Sequence, residues 1–211
     1  MMVRNDDRLT AIREAFDARA PEYDESAMHR ALATSVARFA RVPDDGAVLD
    51  VATGTGLVAR ALAQLHPRLA ITGVDVSGGM LAVARDALPS AEWVESDAAE
   101  LSLAAASIDL ITCVTALHLF AEPARAIAEW ARVLRPGGRV VTATFTSGGH
   151  GGGSHGSGHG QHEHPYPRDH VSFATPERLQ SFYTPLGLRI VRLATWVRAE
   201  DRVLIAEAVL A

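Results

Sequence analysis

A doubly wound α/β sheet, mostly parallel and closed by an antiparallel terminal strand, is the fold class that this sequence predicts. Three observations predict it. From residue 47 onward, short apolar runs alternate with amphipathic segments of helical period. The run IDLITCV, residues 108–114, is apolar on both alternate sets of positions, as a strand covered on both faces requires. The last two runs, LRIVRLATW and RVLIAEAVLA, are separated by VRAED alone. So close a pair can form a hairpin but not a right-handed crossover, so the final strand runs antiparallel to its neighbour.

Each element follows in order. Residues 8–41 form a mostly polar, helix-prone leader that ends at the breaker cluster VPDDG, residues 42–46, which places a helical cover over 1–45 and a single domain over 46–211. AVLDVA (47–52) is the first strand, TGTG the turn, and LVARALAQLHP a helix on which Leu57, Ala61 and Leu65 share a face until Pro67 stops it. AITGVDV is the second strand, GGMLAVARDAL a helix, AEWVESD the third strand and IDLITCV the fourth. Pro123 opens the next helix, with Ala124, Ile127, Ala131 and Leu134 on one face, and RPGG stops it before RVVTATF, the fifth strand. After a glycine- and histidine-rich loop at 148–170, TPERLQSFYTPLG has the Thr-Pro start of a capped helix, and the hairpin completes seven strands.

Composition narrows the function. A chain of 211 residues with 48% hydrophobic content has room for one sizeable core. A net charge of −5 offers no broad basic field for phosphate backbones, which disfavours a nucleic-acid partner and points to a small molecule. Cys113 is the only cysteine, so neither an intrachain disulfide nor a cysteine-based zinc site can form. MMVRNDDRLT lacks the apolar run of a signal peptide, and no stretch reaches the roughly 18 apolar residues of a membrane span. The expectation is a soluble cytoplasmic protein.

In a doubly wound sheet, ligands bind at the carboxyl ends of the strands. Features suited to a nucleoside with a charged tail fall there. Gly54 and Gly56 clear side chains from the turn after the first strand, so that a ligand can approach the backbone. Asp50, late in that strand, can hold an ammonium group. Asp75 ends the second strand, nineteen residues beyond Gly56, where a carboxylate accepts from both ribose hydroxyls. Asp97 ends the third strand and can accept from an adenine amino group. Each aspartate alone could be a helix or turn cap; three at successive strand ends favour a cofactor.

VLDVATGTGLVARALA, GVDVSGGML, ESDAAEL and RVLRPGGRVV resemble the successive motifs of the class I S-adenosylmethionine-dependent methyltransferases, particularly the ubiquinone/menaquinone-methyltransferase-like group. The resemblance runs from about residue 14, in FDARAPEYDES, to the C-terminus, interrupted by the loop. It implies a Rossmann-like seven-stranded sheet and S-adenosylmethionine as cofactor, with S-adenosylhomocysteine as product. It departs from the family at Ala52, which stands where the first of three alternate glycines is usual. By this resemblance Asp50, Ala52, Thr53 and Gly54 lie along the methionine part of the cofactor, and Asp75 binds ribose. Val76 and Met80 flank the adenine, with Met80 set equally against a core position at helical spacing, Asp97 and Ala98 read its amino edge, and Thr115 presents backbone near the methionine amino group. By the same resemblance Phe16 and Tyr23 of the leader are aromatic cover over the site, set against packing onto the sheet.

Two other readings compete. GTGLVA, residues 54–59, also satisfies the fingerprint of an NAD(P)-dependent oxidoreductase, but Asp50 would lie near the pyrophosphate and repel it. A non-catalytic nucleotide- or metal-binding protein is the other. For methyl transfer to a small-molecule acceptor, on oxygen or carbon, the protein has to align three atoms and exclude water. His118, in TALHLF, is the candidate to orient or deprotonate the acceptor, set against a packed histidine with one satisfied nitrogen. Six of the nine histidines, His150, His155, His159, His162, His164 and His170, fall in the loop. No metal site is assigned to it, since a glycine-rich backbone provides no second shell to hold ligands. The loop is expected to be a mobile lid at the acceptor's entrance.

Overall fold

A computed structural model of the chain describes residues 5–146 and 166–211. The lid expectation, and with it His150, His155, His159, His162 and His164, lies outside the described residues; His170 is within them.

Seven strands form one sheet: β1 (Ala47–Val51), β2 (Ala70–Asp75), β3 (Glu92–Glu95), β4 (Ile108–Val114), β5 (Leu134–Phe145), β6 (Leu188–Arg198) and β7 (Asp201–Leu210). Their order is β3-β2-β1-β4-β5-β7-β6, parallel except for β7, which runs antiparallel to both β5 and β6. The chain reverses direction in strand order between β1 and β4, which opens a crevice above the C-terminal ends of these strands. Helices cover both faces. α2 (Ala27–Phe39) and α3 (Leu57–Leu65) pack on one face with Val48, Leu110, Val141 and Ile205. On the other, α5 (Pro123–Val133) and α6 (Pro176–Tyr183) bury Ile127, Trp130, Leu179 and Tyr183 against Leu49, Ile111 and Ala206. α4 (Gly78–Ala87) lies beside β2 and β3.

The leader is α1 (Asn5–Arg19), a 3-10 segment (Ala20–Glu25) and α2, whose N-cap Ser26 accepts from the His29 amide. α2 joins the helix layer, with Leu32 and Val36 fully buried, whereas α1 packs on α4 and turns Leu9, Ile12 and Phe16 toward the crevice.

Several local expectations need correction. Asp97 lies two residues beyond β3, which ends at Glu95 where its pairing with β2 ends. On α3 the buried stripe is Val58, Ala59 and Leu62, while Leu65 is exposed, because the helix is wedged between the sheet and α2 and buries the sector facing both. On α5 the buried set is Ala126, Ile127, Trp130 and Val133, and Ala124 is exposed. The large ring of Trp130 sets that face, which a reading centred on the small residues misses. RPGG does stop α5, but it then bulges within β5: Ile108 pairs with Leu134 and Leu110 with Arg139.

Candidate functional site: a roofed cavity at the strand ends

The site begins with a turn that avoids ordinary backbone geometry. After β1 the chain passes through Ala52 at φ 51°, Gly54 at 55° and Gly56 at 76°, all left-handed, and Thr115 after β4 has φ 53°. Left-handed non-glycine residues are strained and concentrate where a ligand or a tight turn demands them. Gly54 is uncrowded: a Cβ there would meet Tyr23 at 3.9 Å and the Met80 sulfur at 4.0 Å, both ordinary contacts. Gly56 has a different task, since a Cβ would come within 2.7 Å of the Trp93 ring.

Asp75 joins the two turns that flank the crevice. One oxygen accepts from the Gly54 amide at 2.8 Å and the other from the Ser77 amide at 2.9 Å. Burial raises its pKa despite these bonds. Asp97 uses one oxygen on the Ala99 amide at 3.0 Å.

These groups line a cavity at the carboxyl ends of the strands, where a doubly wound sheet binds its ligands. Of the residues expected from sequence, Ala52, Gly54, Asp75, Val76, Asp97, Ala98 and Thr115 line it, and Phe16 and Tyr23 roof it. Four others do not line it. Asp50 sits beneath, fully enclosed, where its two oxygens accept from Thr53 Oγ1 and Thr112 Oγ1, each at 2.6 Å. It braces the turn rather than facing a ligand ammonium, and burial pushes its pKa up to about 6. Thr53 is therefore turned toward Asp50. Met80 is wholly buried on α4, with its sulfur 4.0 Å from where a Gly54 Cβ would stand. His118 is packed: its ring stacks on His170 at 4.1 Å, with the edge of Phe145 at 6.2 Å, and its carbonyl accepts from the Asp169 amide.

Several residues absent from the sequence reading complete the walls. Leu9, Ile12, Leu119 and Phe120 supply an apolar side, and Ser96 and Glu122 a polar one. Periodicity could have singled out Ile12 and Leu119, but nothing local marks them as neighbours across more than a hundred residues. The roof is tied by Arg8, which donates to the Leu119, Phe120 and Pro167 carbonyls. Phe16 stacks on Tyr166 at 6.3 Å and Tyr23 on His29 at 4.7 Å, with the Arg19 guanidinium over both Phe16 and Tyr23. Burial pushes the Tyr23 hydroxyl up to about 12, so it is a donor at neutral pH. Burial likewise takes His29 down to about 4, leaving it a neutral ring. Among the described residues no group of three histidine, cysteine or carboxylate side chains could hold a metal, and no helix is long and apolar enough to cross a membrane.

The chain is similar to known methyltransferases. Residues 49–142 match the family described as "Methyltransferase domain". The chain is 32% identical over 159 residues to a ubiquinone/menaquinone biosynthesis C-methyltransferase UbiE of Geobacter sulfurreducens, covering 69% of this chain and 62% of that protein. To a demethylmenaquinone methyltransferase of Deinococcus radiodurans it is 36% identical over 151 residues, covering 66% and 62%. The chain thus spans about three-fifths of the length of these relatives. Among solved structures, the fold matches a methyltransferase in complex with the Haloferax volcanii Trm112 activator, with a TM-score of 0.77, 20% identity and coverage of 94% and 96%. It also matches magnesium protoporphyrin IX methyltransferase of Synechocystis with bound SAM, with a TM-score of 0.69, 17% identity and coverage of 97% and 98%.

Proposed function

We propose that the chain is a class I S-adenosylmethionine-dependent methyltransferase of the ubiquinone/menaquinone-methyltransferase-like group and that it transfers a methyl group from S-adenosylmethionine to a small-molecule acceptor, on oxygen or carbon. The observation that carries the reading is Asp75 between the two turns of the crevice. Its bonds to the Gly54 and Ser77 amides occupy two of about four acceptor positions, which leaves the others for a pair of ribose hydroxyls. The bare backbone at Gly54 suits close approach by the methionine portion, and the second oxygen of Asp97 suits an adenine amino group. Asp50 acts on the ligand only through the turn it braces.

S-adenosylmethionine supplies, when bound, a methyl group already activated by a sulfonium, so no residue has to activate the donor. The chain's own work is positioning and exclusion of water. Phe16 and Tyr23 roof the cavity, where their rings help to exclude water. Leu9, Ile12, Leu119 and Phe120 form an apolar wall that suits a partly apolar acceptor ring, the kind of acceptor that the relatives' names imply. His118, stacked on His170 away from the cavity wall, takes no proton-transfer role in this reading.

Calorimetric titration tests it. S-adenosylhomocysteine should bind and NAD should not, and Asp75→Ala should weaken binding by about 1.5–3 kcal/mol, the scale of hydrogen bonds to a charged group. Heat with NAD and none with S-adenosylhomocysteine would overturn the proposal.

A further inference from the structure

The leader carries two aromatic-aspartate pairs, Phe16-Asp17 and Tyr23-Asp24, and in each pair the ring roofs the cavity while the aspartate grips one of the turns beneath it. Asp17 Oδ1 accepts from Ser77 Oγ at 2.6 Å and from the Gly79 amide at 2.8 Å, at the N-terminus of α4. Gly79 permits that approach: a Cβ there would stand 2.9 Å from the same oxygen. Asp24 accepts from Thr55 Oγ1, in the turn after β1, and pairs with Arg60 of α3.

We propose that Asp17 and Asp24 are positioning residues that seat the aromatic cover on the cofactor turns, so that cofactor leaves only when these two latches open. The inference rests on the reading of the cavity as the S-adenosylmethionine site. Three features favour latching over general stabilisation. Of α1, Ile12 is the one buried apolar residue among those described, so apolar burial alone does not hold the cover. Both latches end on the turns that carry Gly54 and Asp75, so opening the cover and loosening the cofactor's seat are one event. The two pairs divide the turns between them, Phe16-Asp17 on the start of α4 and Tyr23-Asp24 on the turn after β1.

The test combines stopped-flow dissociation of S-adenosylhomocysteine with amide hydrogen exchange of the ligand-free protein. Asp17→Ala and Asp24→Ala should each speed dissociation about tenfold, the scale of one hydrogen bond to a charged group, with association changed less than about threefold. In the ligand-free variants, exchange over α1 and the 3-10 segment should quicken while β1 and β4 stay protected. Alanine raises helix propensity, so a looser cover in Asp17→Ala cannot come from a weaker α1. Asp17→Asn, which keeps an acceptor oxygen, should restore most of the slow release, and Glu14→Ala, exposed on the same helix, should change nothing. Unchanged dissociation in both alanine variants, or exchange that quickens equally in β1 and β4, overturns the inference. If the unaltered chain fails to bind S-adenosylhomocysteine, the site reading falls instead, and ligand-free exchange still decides whether the two aspartates hold the cover.

Discussion

Ala52 occupies a backbone position that a glycine would take more easily, with φ at 51°. A left-handed L-residue costs about 1–2 kcal/mol, and glycine loses about 0.5–1 kcal/mol through chain entropy, so the two effects nearly cancel. Ala52→Gly should therefore change stability by less than about 1 kcal/mol in urea titration, whereas the β-branched Ala52→Val should lose about 2 kcal/mol or more. One layer down, Asp50 makes a statement about pH. Its folded value of about 6 stands above the ordinary 3.8, so the folded chain holds the extra proton between these values. Its contribution to stability is then full below about pH 4 and lost as pH rises through 6. Asp50→Asn cannot titrate, so its stability relative to the unaltered protein should improve by up to about 3 kcal/mol between pH 4 and pH 7. Denaturant midpoints across that range check the sign; a constant difference would show that Asp50 does not titrate there.

Among the elements, β2 and β3 meet through an aromatic laid over bare backbone. Gly73 pairs directly with Trp93, and a Cβ on Gly73 would stand 2.3 Å from that ring; the ring also covers Gly56 and is held by its Nε1 bond to the Leu88 carbonyl. Gly73→Ala should lose about 1–3 kcal/mol by overpacking, and less when combined with Trp93→Leu, because the clash disappears with the ring. Additive losses in that double-mutant cycle would refute the account. The strands and helices themselves were legible from period and turn residues, as in the Thr175 cap of α6 and the hairpin of β6 and β7, although the strands extend into VRAED and leave only Ala199-Glu200 as the connection. Which face of α3 or α5 is buried was less legible. Small residues such as Ala61 and Ala124 count as apolar in a periodic pattern, but packing area belongs to Leu62 and Trp130.

Across the whole molecule, the antiparallel hairpin is joined to the parallel sheet by a buried carboxylate. Glu207 on β7 is wholly enclosed, with Oε2 3.4 Å from Arg139 on β5 and 3.2 Å from Arg192 on β6. Arg192 in turn lies over the Phe39 ring at the end of α2 and donates to its carbonyl, so three strands and a helix meet there. Glu207→Ala leaves two guanidinium groups, each about 30% exposed, without their counter-charge and should destabilise by about 1–3 kcal/mol in equilibrium unfolding; an unchanged or higher stability would show that solvent already screens the cluster. The sequence by itself determined the alternation of strand and helix, the antiparallel end of the sheet and the acids at the strand ends, because these follow from period, turn chemistry and chain length, all local properties. Tertiary structure alone decided what those acids face. Asp50 meets Thr112, Asp17 meets Gly79 and Asp24 meets Thr55 across separations of 62, 62 and 31 residues, and His118 finds His170 rather than the cavity. A side chain's role in a site depends on its direction and its distant neighbours, and only the closed packing of sheet, turns and leader sets either one.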